Sequence, residues 1–388
     1  MSALKPVGAF SLLCVACLTI MVGCVIVPGL NSIAAGLGVT GSASWLVTLP
    51  ALGVVIFGPL AGMLITRRGT RRGTRSALRI GLILYGALGV AGAWMPGPIF
   101  IYADRLLLGG ATAMVMSSGI AMISEFYSGH ARLKMMSKQG MAIELGGVIF
   151  LSIGGLLAQI GWRWPFALYL MAWVFLMITE LFVPRQHAAV AESNAVGGVA
   201  KNTLFKVTIV YFAALLAMII FFTAIIGLPF RLHGFGFNEA QIGYLLSFVS
   251  LVAVGAASTL PRLTVRIGES TTLTLGFIGY GVAQFIFIVA PNSAAMIFAA
   301  FVLGIGFGLT VPLVNHMAVE RSHPGNRGRV LAYLSMSIFL GQFLSSFLQY
   351  LPGGNRQTFA VAVALSVIGA LTFGSKSILK LRLRPRTL

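Results

Sequence analysis

Charge is what this sequence lacks most. Asp, Glu, Lys and Arg make up 9% of its 388 residues, while 58% are hydrophobic; a soluble domain carries about 25% charged residues. So few charges cannot cover a water-soluble surface, which excludes a soluble protein and leaves the bilayer as the solvent. Cysteine is nearly absent too. Cys14, Cys17 and Cys24 supply no disulfide framework and identify no redox compartment. Their spacings of three and seven place them on one helical face. With no His or acid beside them, they read as small polarisable residues at a helix contact and not as metal ligands. The sequence offers no catalytic Ser/His/Asp set, no metal cluster and no ATP-binding loop. It is therefore read as a non-enzyme without a cofactor, driven by a proton gradient or by the gradient of its own substrate.

Basic residues are what remains of the charge, and the net charge is +19. In a soluble protein that excess would suggest nucleic acid. Here the basic residues sit in short clusters between long apolar runs, which is the pattern of membrane topology and predicts no nucleic-acid partner. The strongest cluster follows an apolar helix end: Gly58 to Arg79 carries Arg67, Arg68, Arg71, Arg72, Arg75 and Arg79.

Polar and Pro/Gly breaks divide the chain into twelve apolar runs, approximately 8–30, 43–65, 77–95, 99–122, 136–158, 164–183, 206–229, 241–260, 272–290, 294–318, 328–350 and 357–379. About 20 apolar residues cross a hydrocarbon core of about 30 Å. Each run must be helical, because open strands leave backbone groups unsatisfied in lipid. The first run is too long for the apolar core of a signal peptide, lacks a small-x-small cleavage site, and is read as the first span. Lys5, the basic loop after span 2, Lys134, Arg185, Arg266, Arg329 and the basic tail share one side, whereas the opposite loops carry only Arg163, Arg231 and Arg356. This asymmetry predicts that both termini are cytoplasmic.

The longest connection, Pro184 to Thr203, is polar and rich in small residues. It predicts six helices in residues 1–183, a cytoplasmic linker in 184–205, and six helices in 206–388. The halves echo each other at one constant offset. Leu64, Arg67 and Gly69 align with Leu263, Arg266 and Gly268, and Gly109 aligns with Gly308. Paired six-helix halves are a transporter signature, with the site expected between them near mid-membrane.

The loop Gly62-x-Leu-x-x-Arg67-x-Gly69-x-Arg71-Arg72 resembles the loop signature of the major facilitator superfamily. Arg105-Leu-Leu-Leu-Gly109-Gly-Ala111 resembles its second motif. Gly146, the Gly154-Gly155 pair and Trp162-Arg163-Trp164-Pro165-Phe166 resemble a third region, common in drug and metabolite exporters. The resemblance spans the chain. It implies an all-α, twelve-helix membrane fold and alternating access between inward-open and outward-open states. It also implies a conformational latch at Gly62, Thr66, Arg67, Gly69 and Arg71, with Glu125 or Glu320 as partners. Two positions depart from the family pattern: Thr66 replaces the usual acid of the loop, and Phe150-Leu151 replaces the Gly-Pro step of antiporters.

Of the eight acids, six lie in loops or at helix ends, leaving Asp104 and Glu144. Glu144 is about eight residues into its span, roughly 12 Å along the axis at 1.5 Å per residue. A charge at that depth costs at least ~2.5–3.5 kcal/mol on insertion scales, so Glu144 is expected to face the bundle interior and to carry a coupled proton. Arg105 cannot be neutralised by deprotonation and needs an acceptor or a wet cavity. The family resemblance gives it a part in proton transfer or in holding span 4. Asp104 is placed with them in the proton-coupling set, although adjacent helical residues do not face each other and no simple pair is expected. Asp104 is read instead as lying at the outer water boundary.

Gln342 and Asn315 are candidate substrate ligands, and Met114, Met218 and Phe222 candidate walls for amphipathic ligands. His316 is expected in a cytoplasmic surface network with Glu320 and Arg321, and Gln284 is read as peripheral. Gly58–Gly62 and Gly304–Gly308 present small-x-x-x-small faces, which predict close helix packing. Together these features describe a monomeric secondary transporter in a bacterial inner membrane. Its expected partners are a small organic substrate, protons and lipid, and proton-coupled export of a drug, siderophore-like compound or other metabolite is the leading reading. A symporter or facilitator for uptake of a sugar or organic anion is the alternative, and a non-transporting membrane receptor is the alternative from another class.

Overall fold

Every apolar run becomes a helix. The computed structural model describes residue 4 and residues 6–67, 71–127, 129–184, 201–323 and 327–382. Among them there is no β-strand, as the obligation to close backbone hydrogen bonds within each segment demands. Twelve helices are long and apolar enough to cross a membrane. Spans 1 to 6 are Pro6–Cys24, Ser44–Met63, Gly73–Trp94, Pro98–Phe126, Lys134–Ile160 and Trp164–Phe182. Spans 7 to 12 are Val207–His233, Glu239–Ile267, Glu269–Val289, Ser293–Glu320, Arg327–Tyr350 and Gly354–Ser375.

The first span is shorter than its apolar run. The helix stops at Cys24, and a short helix, Leu30–Gly36, takes up the rest of the run. Pro28 lies in the intervening turn, where its ring and missing N–H prevent the first helix from continuing. Span 6 is also interrupted. A 3₁₀ turn, Leu168–Leu170, separates Trp164–Ala167 from Met171–Phe182.

The described residues cluster into two compact units. One contains Met1–Ser193 with Phe237–Ser247, the other Asn194–Gly236 with Phe248–Leu388. The start of span 8 therefore groups with the first unit, where Ser247 Oγ donates to the Val148 carbonyl at 2.9 Å and lies 2.8 Å from Ser152 Oγ.

Within the first unit, span 5 runs parallel to span 1. Gly146 meets Cys17, Gly154 meets Val25 and Gly29 meets Ala158, at one constant separation in sequence. Spans 2 and 4 cross where Gly53 and Gly109 face each other, with the Pro50 carbonyl against Gly109. Any side chain on either glycine would collide with backbone, so only glycine permits this approach. The second unit repeats the arrangement: a Cβ on Gly304 would lie 2.6 Å from the Val249 carbonyl oxygen, and one on Gly308 2.8 Å from Ala256 Cβ. The Gly304–Gly308 face thus packs as its spacing predicts. The Gly58–Gly62 face does not: nothing among the described residues lies within 4 Å of a Cβ at either position. Small-x-x-x-small spacing permits a close crossing, but the partner helix decides where it falls, and span 4 meets span 2 earlier in the chain, at Gly53.

Candidate functional site

Arg105 is fully buried in span 4, with no accessible side-chain surface. A guanidinium there must have every donor answered by protein. Its Nε and Nη2 both donate to Oδ2 of Asp104, at 3.2 and 2.8 Å. Nη2 also donates to the Gly89 carbonyl of span 3 at 3.3 Å, and Nη1 to the Tyr169 hydroxyl of span 6 at 3.4 Å. Phe166 and Tyr169 present their rings to the guanidinium at 5.2 and 5.5 Å, a cation–π arrangement that gains strength when desolvated. Gly92 leaves the room the guanidinium fills, since a Cβ there would overlap Nη2.

These contacts correct the expectation for Asp104. It is buried and ion-paired to its own neighbour, not placed at a water boundary. Helix geometry points adjacent Cβ atoms apart, but the long arginine stem curls back around the backbone, and the low surrounding dielectric rewards the resulting pair. The second carboxylate oxygen, Oδ1, is buried and has no hydrogen-bond partner among the described residues.

The network extends to span 1. The Tyr169 hydroxyl donates to the Val22 carbonyl at 2.9 Å, and Tyr85 of span 3 donates to the Leu18 carbonyl at 2.7 Å. The Tyr85 and Tyr169 rings lie 5.7 Å apart. Tyr169 sits in the 3₁₀ turn of span 6, where the tighter winding accompanies its contacts with both Arg105 and span 1. Four spans are thereby joined through one guanidinium.

Glu144 borders that network: it lies close enough to Cys24 of span 1 to interact with it electrostatically, and Cys24 in turn lies near Tyr85 and Tyr169. The Glu144 segment of span 5 is held to span 1 by Cys17, whose Sγ donates to the Ala142 carbonyl at 3.0 Å. This is the helix-contact role expected for the cysteines, all of which are free thiols. Glu144 is half-buried. Among the described residues its carboxylate has no ion-pair partner, whereas Asp104, Glu180, Glu269 and Glu320 each have one.

The candidate substrate residues are dispersed. Gln342 is buried in span 11, beside Gly341, which packs against Leu215 and Met218 of span 7. Met218 is thus a span 7–span 11 contact. Phe222 is half-buried and meets the Phe221 ring edge-on at 5.7 Å; Met114 is half-buried in span 4. Asn315 is exposed, and its amide donates to the Val311 carbonyl of its own helix at 2.9 Å.

Comparison with known proteins places this architecture. The family model for the Major Facilitator Superfamily matches residues 12–346 and 207–386. The chain belongs to the Major Facilitator Superfamily. It is 24% identical over 310 residues to Multidrug resistance protein 2 of Bacillus subtilis (strain 168), covering 76% of each chain. It is 24% identical over 298 residues to Multidrug resistance protein 1 of the same organism, covering 74% of this chain and 75% of that one. In fold it is similar to the nucleoside transporter NupG, in a mutant form, with a TM-score of 0.75 at 14% identity, covering 95% of this chain and 99% of that one. It is also similar to a D-xylose–proton symporter, with a TM-score of 0.73 at 16% identity, covering 94% and 97%. As a superfamily member with twelve apolar helices, the protein is a multi-pass membrane transporter and not an enzyme.

The superfamily loop lies partly outside the described residues. Gly62 is half-buried near the end of the helix Ser44–Arg67, and Arg71 opens the next helix. Thr66 and Arg67 are helical in backbone, while Gly69 falls outside the described set. Downstream, Arg75 forms a contact that sequence reading misses. Its Nη2 pairs with Glu180 at 3.0 Å while Nη1 and Nη2 also donate to the Val183 and Glu180 carbonyls at 2.9 and 3.2 Å. Arg79 joins the same carboxylate at 3.0 Å. The cations thus cap the carbonyl end of span 6, where the helix dipole favours positive charge. Only the matching position of both ends on one side of the membrane hints at this pair in the sequence.

Gln284 is fully buried and donates to the Ile220 carbonyl of span 7 at 2.8 Å, so it ties spans 7 and 9. His316 and Glu320 lie 3.4 Å apart at an exposed site, as expected for a surface network. Glu269 comes within 4.8 Å of both, but its carboxylate is engaged by Arg321 at 2.8 Å, so the group is an ion-pair cluster.

Proposed function

We propose that this transporter is a proton-coupled exporter of a small organic molecule, working by alternating access in a bacterial inner membrane with both termini in the cytoplasm. The observation that carries this reading is Glu144: among the described residues it is the one carboxylate away from a helix end that lacks an ion-pair partner. A half-buried, unpaired carboxyl inside a span is poised to exchange a proton. The B. subtilis relatives are named multidrug resistance proteins, which supports export over uptake.

In this reading Glu144 carries the proton. Arg105 and Asp104 hold spans 1, 3, 4 and 6 in register, and the unpartnered Asp104 Oδ1 is a second place for a proton. Residues 1–183 and 206–388 act as the two moving halves around the linker 184–205, and the protein works as a monomer. Gln342, Asn315, Met114, Met218 and Phe222 are the proposed substrate contacts. The loop residues Gly62, Thr66, Arg67, Gly69 and Arg71 form the latch. Uptake by a proton symporter is favoured by one feature, the Phe150-Leu151 pair in place of the antiporter Gly-Pro step.

Inverted vesicles test both readings. Adding substrate is expected to dissipate an inside-acid pH gradient, and Glu144→Gln is expected to abolish that response while leaving substrate binding intact. Unchanged proton movement in the variant rules out Glu144 as the carrier. Substrate accumulation by whole cells that a protonophore abolishes replaces export with symport.

A further inference from the structure

The less basic side of the membrane carries three arginines, and two of them line one cavity. Span 7 ends, span 9 ends and span 12 begins on that side. Between these ends lies a cavity of about 180 Å³, lined by Arg231, Phe287, Ile288, Asn355, Arg356 and Phe359. All six belong to the second compact unit.

The cavity has a charged mouth and an apolar floor. Phe287 and Phe359 are buried, with rings 5.7 Å apart. Arg231 stacks over Phe235 at 5.5 Å, and its Nε is buried without a hydrogen-bond partner among the described residues. Neither Arg231 nor Arg356 forms an ion pair among the described residues. Gln349 Nε2, which with Phe359 adjoins Gly227, is a second buried donor without a partner. Gly353 and Gly354 take φ values of +103° and +63°, a turn that glycine alone makes cheaply. It sets the first turn of span 12, with Asn355 and Arg356, against the cavity. The unsatisfied N–H groups and positive dipole of a helix start are thus added to two guanidiniums.

Two like charges share one small site with unanswered donors, no carboxylate beside them among the described residues and a helix N-terminus in attendance. Each feature is unfavourable alone, and one anion resolves them together. Ligand pockets for drug-sized molecules run to about 300–1,000 Å³, so this cavity suits a compact group. We propose that it binds a phosphate-type anion, held by Arg231 and Arg356 and seated over Phe287 and Phe359. The source is either the headgroup of an anionic phospholipid or a free anion.

Thermal unfolding of the full chain in nanodiscs separates these sources. In phosphatidylcholine nanodiscs containing phosphatidylglycerol, Tm is expected to rise by about 3 °C or more over phosphatidylcholine alone. Inorganic phosphate, added to pure phosphatidylcholine nanodiscs at ionic strength matched with chloride, is expected to give a rise only if the site accepts a free anion. Arg356→Glu alters an exposed residue and is expected to fold normally and lose the rise; Arg231→Gln is expected to lose it as well. A rise with lipid alone assigns a headgroup site, and a rise with phosphate assigns a free-anion site. No rise with either probe, or a rise that persists in Arg356→Glu, overturns the proposal.

Discussion

Arg105 shows how a single charge is made tolerable where water is absent. Its donors reach Asp104, Gly89 and Tyr169, and two rings cover its face. Removing one member of a buried pair leaves the other uncompensated. Asp104→Asn is therefore expected to destabilise the protein by roughly 3–5 kcal/mol. Replacing both, Asp104→Leu with Arg105→Met, is expected to lose less than the single change, because no buried charge is then left unpaired. Thermal unfolding in detergent compares the two; a double variant less stable than Asp104→Asn is incompatible with a closed pair. The presence of an unusual acid and arginine in span 4 was legible in the sequence. Their pairing was not, since helical spacing specifies Cβ directions and says nothing of how a long side chain bends back.

At the scale of elements, glycine placement decides which helices touch. Gly53 and Gly109 bring backbones together, whereas a Cβ added at Gly58 or Gly62 would meet nothing within 4 Å among the described residues. Gly109→Val is expected to drive its methyls into the Pro50 carbonyl, and such overpacking costs about 1–3 kcal/mol or more. Gly58→Ala is expected to be neutral or mildly favourable, since alanine gains up to about 1 kcal/mol of helix propensity. Size-exclusion profiles of the two variants provide the check, and equal losses of monodisperse protein contradict the assigned crossing. The same reasoning applies to Arg75, which is 105 residues from Glu180 in sequence yet closes the end of span 6. Local pattern identifies each helix, but contact between distant helices depends on register that local pattern does not encode.

For the whole molecule, topology is the property that charge counts predict and that cysteine labelling tests. In a background with Cys14, Cys17 and Cys24 changed to alanine, Gly41→Cys lies between spans 1 and 2 and is expected to react with an impermeant maleimide in intact cells. Pro184→Cys follows span 6 and is expected to react only after permeabilisation. The reverse pattern inverts the proposed orientation, and with it the leaflet that the Arg231–Arg356 cavity faces.

The sequence alone determined that the chain lives in lipid, crosses it as helices and belongs to a transporter fold. The first two conclusions follow from composition and run length, because hydrocarbon accepts few charges and no open backbone; the third rests on the echo between the halves and on motifs that resemble those of the superfamily. The sequence also singles out Glu144 as a candidate, since an acid deep in an apolar run is costly wherever its helix points. Only the tertiary structure decided that Asp104 pairs with Arg105, that Tyr169 bridges it to span 1, and that Arg231 and Arg356 share a cavity. These are relations between side chains brought together across helices, and each depends on rotation and register that twelve similar apolar runs leave open.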